Sequence, residues 1–289
     1  MRATLLAVLL SLASSAGYAL AAVAQSRLAV SGGGTRALLT RPLWWWAVGL
    51  NAAGALTHVA ALHYGPLTLV QPLGALTLVA ALPVGAYYER RRVTRAEWRG
   101  ALWTLGGLLG LVAVVGPATP GDALSLPEAL AVAAVTAAGI AALVRRGGRA
   151  LGLATAAGIS SGVASALTQT VTASLARELP GGPMTWWQTV LMAVLVAVFA
   201  TGGLLLSQAA FRGGLAAPLA VVNLANPAAA AVIGVALLGE TFRAGPVGWL
   251  VAAASGAVAA RGVLLLTAGH PVPLPAPRAP EADPSPVTP

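Results

Sequence analysis

Amides and a histidine inside long apolar runs are the residues of this chain best suited to hold a polar molecule. Asn51 and His58 are seven residues apart and therefore share one face of a helix. Gln71, Asn223 and Asn226 stand close to prolines, which leave carbonyl groups without their helical donors. Because hydrocarbon offers no hydrogen bonds, such side chains face other helices or a water-filled path. We therefore take these five as candidates for a solute path.

Two hydroxyl-rich stripes extend this set. The first apolar run carries Ser11, Ser15, Tyr18 and Gln25, and a later run carries Ser161, Ser165, Thr168 and Thr172 at spacings of four, three and four, with Gln169 alongside. We add Tyr18, Ser165, Thr168 and Gln169 to the candidates for the path. The alternative is that these stripes only pack helices together, as we also predict for the pairs Gly106 with Gly110 and Gly158 with Gly162.

The acidic residues lie outside the middle of every long apolar run. Glu89 and Glu240 each follow such a run, and we predict that they anchor or gate the adjoining loops. A carboxylate proton relay therefore has no evident members. Asp122 and Glu128 become candidate ligands only if the chain carries a divalent cation, and we assign no other metal ligand.

Enzyme chemistry is not indicated by the sequence. The chain has no cysteine, and it shows no Walker motif, nucleophile elbow, HExxH motif or pair of catalytic carboxylates. We therefore expect neither an enzyme nor a bound cofactor.

Apolar runs must position these residues, and they make up most of the chain. Its 289 residues are 57% hydrophobic and 9% charged. About twenty helical residues span the roughly 30 Å hydrocarbon core of a bilayer, so the sequence predicts an all-α, polytopic membrane protein. We predict nine spans, at about 3–26, 43–62, 66–88, 98–116, 124–144, 151–176, 186–210, 215–238 and 246–267. They divide into an N-terminal half (1–118) and a C-terminal half (119–268), followed by a Pro-rich, disordered tail (269–289).

The distribution of arginine indicates the orientation. All seventeen basic residues are arginines, and with an extracytoplasmic N-terminus fourteen of them fall in cytoplasmic segments and three on the other side. This is the pattern of a multi-pass protein of the cytoplasmic membrane with a cytoplasmic C-terminus. It explains the net charge of +9 without nucleic acid. The expected partners are the lipid bilayer and a small-molecule solute or cation, and a homodimer is left open.

An internal repeat connects the two halves. A shift of 148 residues places Ala61, Gly65 and Leu67 on Ala209, Gly213 and Leu215, and Arg95, Ala96 and Gly100 on Arg243, Ala244 and Gly248. Gln71-Pro72 has a counterpart of similar chemistry in Asn226-Pro227. Corresponding spans are odd in one half and even in the other, so they cross the membrane in opposite directions. The sequence thus predicts two inverted repeats of four plus five helices, an arrangement found in many secondary transporters.

Longer segments resemble a known family. The stretches ALHYGPLTLVQPLGALTLVAALPVGAYYERR and AAFRGGLAAPLAVVNLANPAAAAVIGVALLGETF resemble the drug/metabolite transporter superfamily, EamA-like group, and SLASSAGYALAAVAQSRLA is similar to the branch of NIPA-type magnesium transporters. The resemblance implies two inverted helical halves with the substrate path between them. We therefore expect a secondary transporter that moves a small neutral or zwitterionic metabolite or drug by alternating access. A magnesium or other divalent-cation permease is the first alternative, and a non-transporting packing partner or sensor is the second.

Overall fold

A computed structural model describes residues 2–31, 35–64, 70, 73–74, 76–114, 124–145, 149–175, 184–237, 242–243 and 245–268. These residues form nine long helices: α1 (Arg2–Val30), α2 (Pro42–Tyr64), α3 (Leu76–Tyr88), α4 (Arg95–Val114), α5 (Leu126–Arg145), α6 (Ala150–Leu175), α7 (Trp186–Ala210), α8 (Ala216–Leu237) and α9 (Pro246–Ala268). A short helix, Thr35–Leu39, precedes α2, and a 3-10 turn, Phe211–Gly213, joins α7 to α8. Each long helix overlaps one predicted span, whereas the predicted tail lies outside the described residues.

Six of these helices, α1 and α5 to α9, are long and apolar enough to cross a membrane. The described part of α3 has 13 residues. α2 contains three tryptophans, an asparagine and two histidines, and α4 has two arginines and a glutamate among its first five residues. The chain is therefore all-helical and consistent with a polytopic membrane protein, as predicted. Nine membrane crossings and the inverted repeats stay predictions.

Several helices begin where the local sequence sets their first turn. α2 and α9 start with Pro42 and Pro246, and proline suits this position because its φ is already helical and its missing N–H would have no partner there. α7 follows Thr185, whose backbone N–H donates to Oε1 of Gln188 at 2.9 Å in a capping box. These starts fix which side chains share a face further along each helix.

The largest apolar core lies at the arginine-rich end of the bundle. We give this name to the end that contains the C-termini of α1, α3, α5, α7 and α9 and the N-termini of α2, α4, α6 and α8. Buried residues of α1, α3, α4, α8 and α9 pack there in one cluster, which includes Val23, Leu82, Ala101, Leu219 and Leu266. Both predicted halves contribute to this cluster, so apolar burial joins them at this end.

At the opposite end the described apolar residues form two separate clusters. One belongs to α5, α6, α7 and α8 together with Leu124, two residues before α5, and it also includes Leu167, Met192 and Phe199. The other lies around the α4–α9 pair and consists of Leu111, Phe242 and Ala252. Within the part of the chain that the structure describes, neither cluster links α1, α2 or α3 to the C-terminal half.

Glycines allow two pairs of helices to approach at backbone contact. In the antiparallel α4–α9 pair, a Cβ added to Gly107 would lie 2.5 Å from the backbone nitrogen of Ala259. In the α6–α8 pair, Gly158 and Gly162 contact the backbone of α8, which confirms their predicted packing role. The same prediction is wrong for Gly106, because an added Cβ there would have no neighbour within 4 Å.

Candidate functional site

Polar residues of the N-terminal half gather around the start of α3. The hydroxyl of Ser15 donates to the carbonyl of Leu73 at 2.6 Å. A Cβ added to Gly74 would lie 3.8 Å from Cε1 of His58, so this imidazole is also close to the start of α3. Tyr18 packs its ring against Gly54 of α2. The structure therefore brings α1 and α2 together beside Leu73 and Gly74, just before α3, whereas Gln71 lies outside the described residues.

Asn51 is bound within its own helix. Its Nδ2 donates to the carbonyl of Ala47 at 3.0 Å, four residues earlier in α2. The side chain is partly buried, and its amide nitrogen already has an acceptor. This contact makes Asn51 a weaker candidate than His58 for binding a solute.

Asn223 in α8 carries a buried polar group without a partner in the described part of the chain. Its Nδ2 is buried and has no hydrogen-bond partner among the described residues. Pro227 lies four residues further along α8 and has no N–H, so it cannot donate to the carbonyl of Asn223. One residue thus presents both an unpaired donor and a carbonyl that lacks its helical donor. At 1.5 Å per residue it lies about 10 Å into α8.

Asn226 packs against α6. A Cβ added to Gly162 would lie 2.9 Å from the carbonyl oxygen of Asn226 and 3.4 Å from its Oδ1. Gly158 approaches the backbone nitrogen of the same residue, since a Cβ added there would lie 3.1 Å from it. The structure therefore places Asn226 in a helix contact, one turn of α8 beyond Asn223.

The three predicted path residues of α6 are exposed. Ser165 and Gln169 continue the face of Gly158 and Gly162 at helical spacing, and both are exposed. Thr168 is exposed as well, and its hydroxyl donates to the carbonyl of Ala164 at 2.7 Å in the same helix. In a bilayer these side chains face either lipid or a water-filled opening.

Ser15 and Asn223 lie at the same depth in the bundle. A Cβ added to Gly85 of α3 would lie 3.9 Å from Val23 and 2.7 Å from Leu215, so these two residues share one level. Ser15 is eight residues from Val23 on α1, and Asn223 is eight residues from Leu215 on α8. Both are therefore about 12 Å further toward the opposite end. Each half therefore has a polar side chain at this depth, just beyond the main core.

Gln208 was missed from the sequence. It lies in α7, is 4% exposed, and donates from Nε2 to the carbonyl of Gln25 in α1 at 3.0 Å. Its Oε1 is buried without a partner among the described residues. The rule that selected the other amides inside apolar runs would have selected Gln208 as well. It forms a polar link between the halves at the arginine-rich end.

Glu89 belongs to a network that fixes the connection between α3 and α4. Arg91 pairs with Glu89 and, at 2.8 Å, with Glu97, which is 2% exposed. Thr94 donates to Glu97 from its backbone nitrogen at 2.8 Å. Burial alone would raise the pKa of Glu97, but the hydrogen bonds from Arg91 and Thr94 outweigh it and lower that pKa. Glu97 precedes the predicted span 98–116, and it was not singled out from the sequence.

The remaining acidic candidates give no metal site in the described residues. Glu128 caps α5, where it accepts hydrogen bonds from the backbone nitrogen of Ser125 at 2.8 Å and from its hydroxyl at 2.6 Å. Asp122 and Glu240 lie outside the described residues. Within the described ranges, no three histidine, aspartate or glutamate side chains lie close enough to hold a metal ion.

A surface pocket of about 500 Å³ lies away from all of these groups. Leu39, Thr40, Pro42, Trp45 and Trp46 line it at the start of α2. It is at the arginine-rich end and contains none of the predicted site residues, so we do not place a solute there.

Comparison with known proteins finds a similar sequence but assigns no function to the chain. No protein-family model matches the chain. An uncharacterized protein of Corynebacterium glutamicum is 27% identical over 259 residues, which are 84% of this chain and 88% of that protein. No solved structure matches. The class that the fold defines is an all-helical protein with six helices in the described residues that are able to cross a membrane.

Proposed function

We propose that the chain is a secondary transporter that moves a small neutral or zwitterionic solute across the cytoplasmic membrane by alternating access. The observation that carries the proposal concerns Asn223. Its side-chain amide nitrogen is buried and unpaired among the described residues, and its backbone carbonyl lacks a helical donor because Pro227 has no N–H. Leaving a buried polar group unpaired costs about 1–3 kcal/mol. A solute with its own donor and acceptor, such as an amide or an amino acid, removes this cost when it binds.

The placement of the apolar clusters supports a path that is closed at one end. The main cluster and the Gln208–Gln25 hydrogen bond join the halves at the arginine-rich end, which we propose is cytoplasmic because arginine accumulates on that side. Toward the opposite end, Ser165, Thr168 and Gln169 are exposed. We propose that these side chains line the open, extracytoplasmic side of the path.

Helix packing supports an inverted repeat of four plus four helices with α5 added. A shift of 148 residues places α1, α2, α3 and α4 on α6, α7, α8 and α9. The contacts follow the same relation: α1 packs on α2 and α3 as α6 packs on α7 and α8, and α4 packs on its own counterpart α9. This pattern refines the predicted division of four plus five, because α5 is then the helix without a counterpart.

The test is solute uptake by the purified protein in liposomes. A mixed pool of labelled amino acids and other metabolites is offered in parallel with Mg²⁺, with and without a pH gradient or a membrane potential. We expect Asn223→Leu and Pro227→Ala to lower uptake of the solute roughly tenfold each, because each removes about one hydrogen bond to it. Both variants should still insert into the membrane.

Pro83→Ala is the matched control, since Pro83 also lies inside a helix but is exposed. We expect it to transport like the unchanged chain. Equal uptake by Asn223→Leu and the unchanged chain would remove Asn223 from the path. Voltage-dependent Mg²⁺ uptake would favour the divalent-cation permease instead, and no uptake of any compound would favour the non-transporting alternative.

A further inference from the structure

Arginines without carboxylate partners flank the contact between α4 and α9. Arg261 is exposed and lies within a helix that is able to cross a membrane, seven residues before its end at Ala268. This is about 10 Å of helix, which places Arg261 near the boundary between headgroups and acyl chains. Neither Arg261 nor Arg99 has a carboxylate partner among the described residues. From this depth an arginine side chain reaches the headgroup region, where lipid phosphates are the available counter-ions.

Trp103 holds the guanidinium of Arg261 beside α4. Cζ of Arg261 lies 5.5 Å from the centroid of the Trp103 ring, which is a cation–π distance. The indole contacts the guanidinium through its ring, and the N–H donors of Arg261 have no acceptor among the described residues. Trp103 is 41% exposed, so this edge is at the protein surface.

A second cation lies on the same face. Arg99 is exposed and precedes Trp103 by four residues, one helical turn nearer the arginine-rich end. Arg95 is exposed one further turn along the same stripe. Close packing of Gly100 and Gly107 on α9 fixes the distance between the two helices, so Arg99 and Arg261 flank Trp103 in a set geometry.

The surface beyond Trp103 has room for an acyl chain. Gly106 follows Trp103 by three residues and is exposed, and a Cβ added there would have no neighbour within 4 Å. Gly106 lies on the side of Trp103 away from Arg99, toward the middle of the predicted span. A soluble anion has no apolar part to cover such a surface, whereas a phospholipid has both a phosphate and an acyl chain.

We propose that Arg99, Arg261 and Trp103 form a binding site for an anionic phospholipid. The phosphodiester accepts hydrogen bonds from the two guanidinium groups, the indole stacks on Arg261, and one acyl chain lies along the α4–α9 contact over Gly106. Anionic lipid is favoured over zwitterionic lipid because the site carries two positive charges and, in the described residues, no carboxylate. The site holds α4 against α9 from the lipid side.

The test measures how many phosphatidylglycerol and phosphatidylcholine molecules the full chain retains, by native mass spectrometry at increasing lipid concentration. Each arginine near a membrane surface favours an anionic lipid by about fivefold. We therefore expect the double variant Arg99→Gln/Arg261→Gln to lower the preference for phosphatidylglycerol by roughly twenty-five-fold. Binding of phosphatidylcholine and the thermal stability without lipid should change little, which shows that the variant is folded.

Arg145→Gln/Arg149→Gln is the matched control, because it removes the same charge from exposed positions at the same end. It should retain the preference for phosphatidylglycerol. An equal loss in both double variants would mean a diffuse charge effect and would overturn the site. Displacement of the lipid by inorganic phosphate would also overturn it. So would binding of phosphatidylglycerol that occurs only after removal of residues 269–289, because the full chain itself would then not bind the lipid.

Discussion

Replacement of Gly107 by alanine tests the α4–α9 contact on which the arrangement of the two halves depends. The added Cβ would lie 2.5 Å from the nitrogen of Ala259, 2.5 Å from the carbonyl oxygen of Ser255 and 2.6 Å from Cβ of Ala259. Ordinary contacts of a Cβ are 3.4–4 Å, so the helices must separate by about 1 Å. Two of the three neighbours are backbone atoms, and no flexible side chain can move aside instead.

Overpacking of this kind costs about 1–3 kcal/mol. The equilibrium constant for unfolding should therefore rise roughly 5-fold to 150-fold in Gly107→Ala. The measurement is reversible unfolding in mixed micelles at increasing SDS, followed by tryptophan fluorescence. Gly106→Ala is the control one residue away, where the methyl group meets open space and alanine gains up to about 1 kcal/mol of helix propensity. The two substitutions should shift the midpoint in opposite directions, and equal shifts would refute the packing argument.

Two further predictions concern groups that the structure brings together. The lowered pKa of Glu97 contributes stability that is present above its unfolded pKa of about 4.5 and is lost as the pH falls through the folded value. Glu97→Gln should therefore remove part of the acid destabilisation. Parallel melting profiles of the variant and the unchanged chain between pH 3.5 and 7 would contradict this. Gln208→Leu removes the hydrogen bond to the carbonyl of Gln25 that joins the two halves, and should weaken the closed arginine-rich end by about 1 kcal/mol. The chain has no native cysteine, so a reporter cysteine can be placed at the buried Ala220. It should then react about fivefold faster with a maleimide added from that end, and unchanged or slower labelling would show that this hydrogen bond does not hold the end closed.

Much of the architecture was accessible from the sequence because it depends on local chemistry. Runs of about twenty apolar residues predict helices without knowledge of their neighbours, and every long helix of the structure overlaps a predicted span. Gly158 and Gly162 were assigned correctly to helix packing, since two small residues four apart make a smooth helix face. Asn223 was selected because its amide lies in an apolar run near a proline.

The candidate site was less accessible, because the sequence does not show which partner each polar group finds. Asn51 and Asn223 are both amides inside apolar runs, but Nδ2 of Asn51 donates to its own helix and Nδ2 of Asn223 has no partner among the described residues. Gly106 and Gly107 are adjacent, and only the rotation of α4 against α9 decides that Gly107 is in contact.

The sequence by itself determined that this chain forms apolar helices with arginine concentrated on one side, since both follow from residue type and spacing. The tertiary structure decided which helices touch, and with that the pairing of α4 with α9, the link from Gln208 to Gln25 and the buried cluster at the arginine-rich end. The physical reason is that contacts between helices depend on the rotation and depth of two distant segments. Composition, which repeats Ala, Leu and Gly in every span, specifies neither.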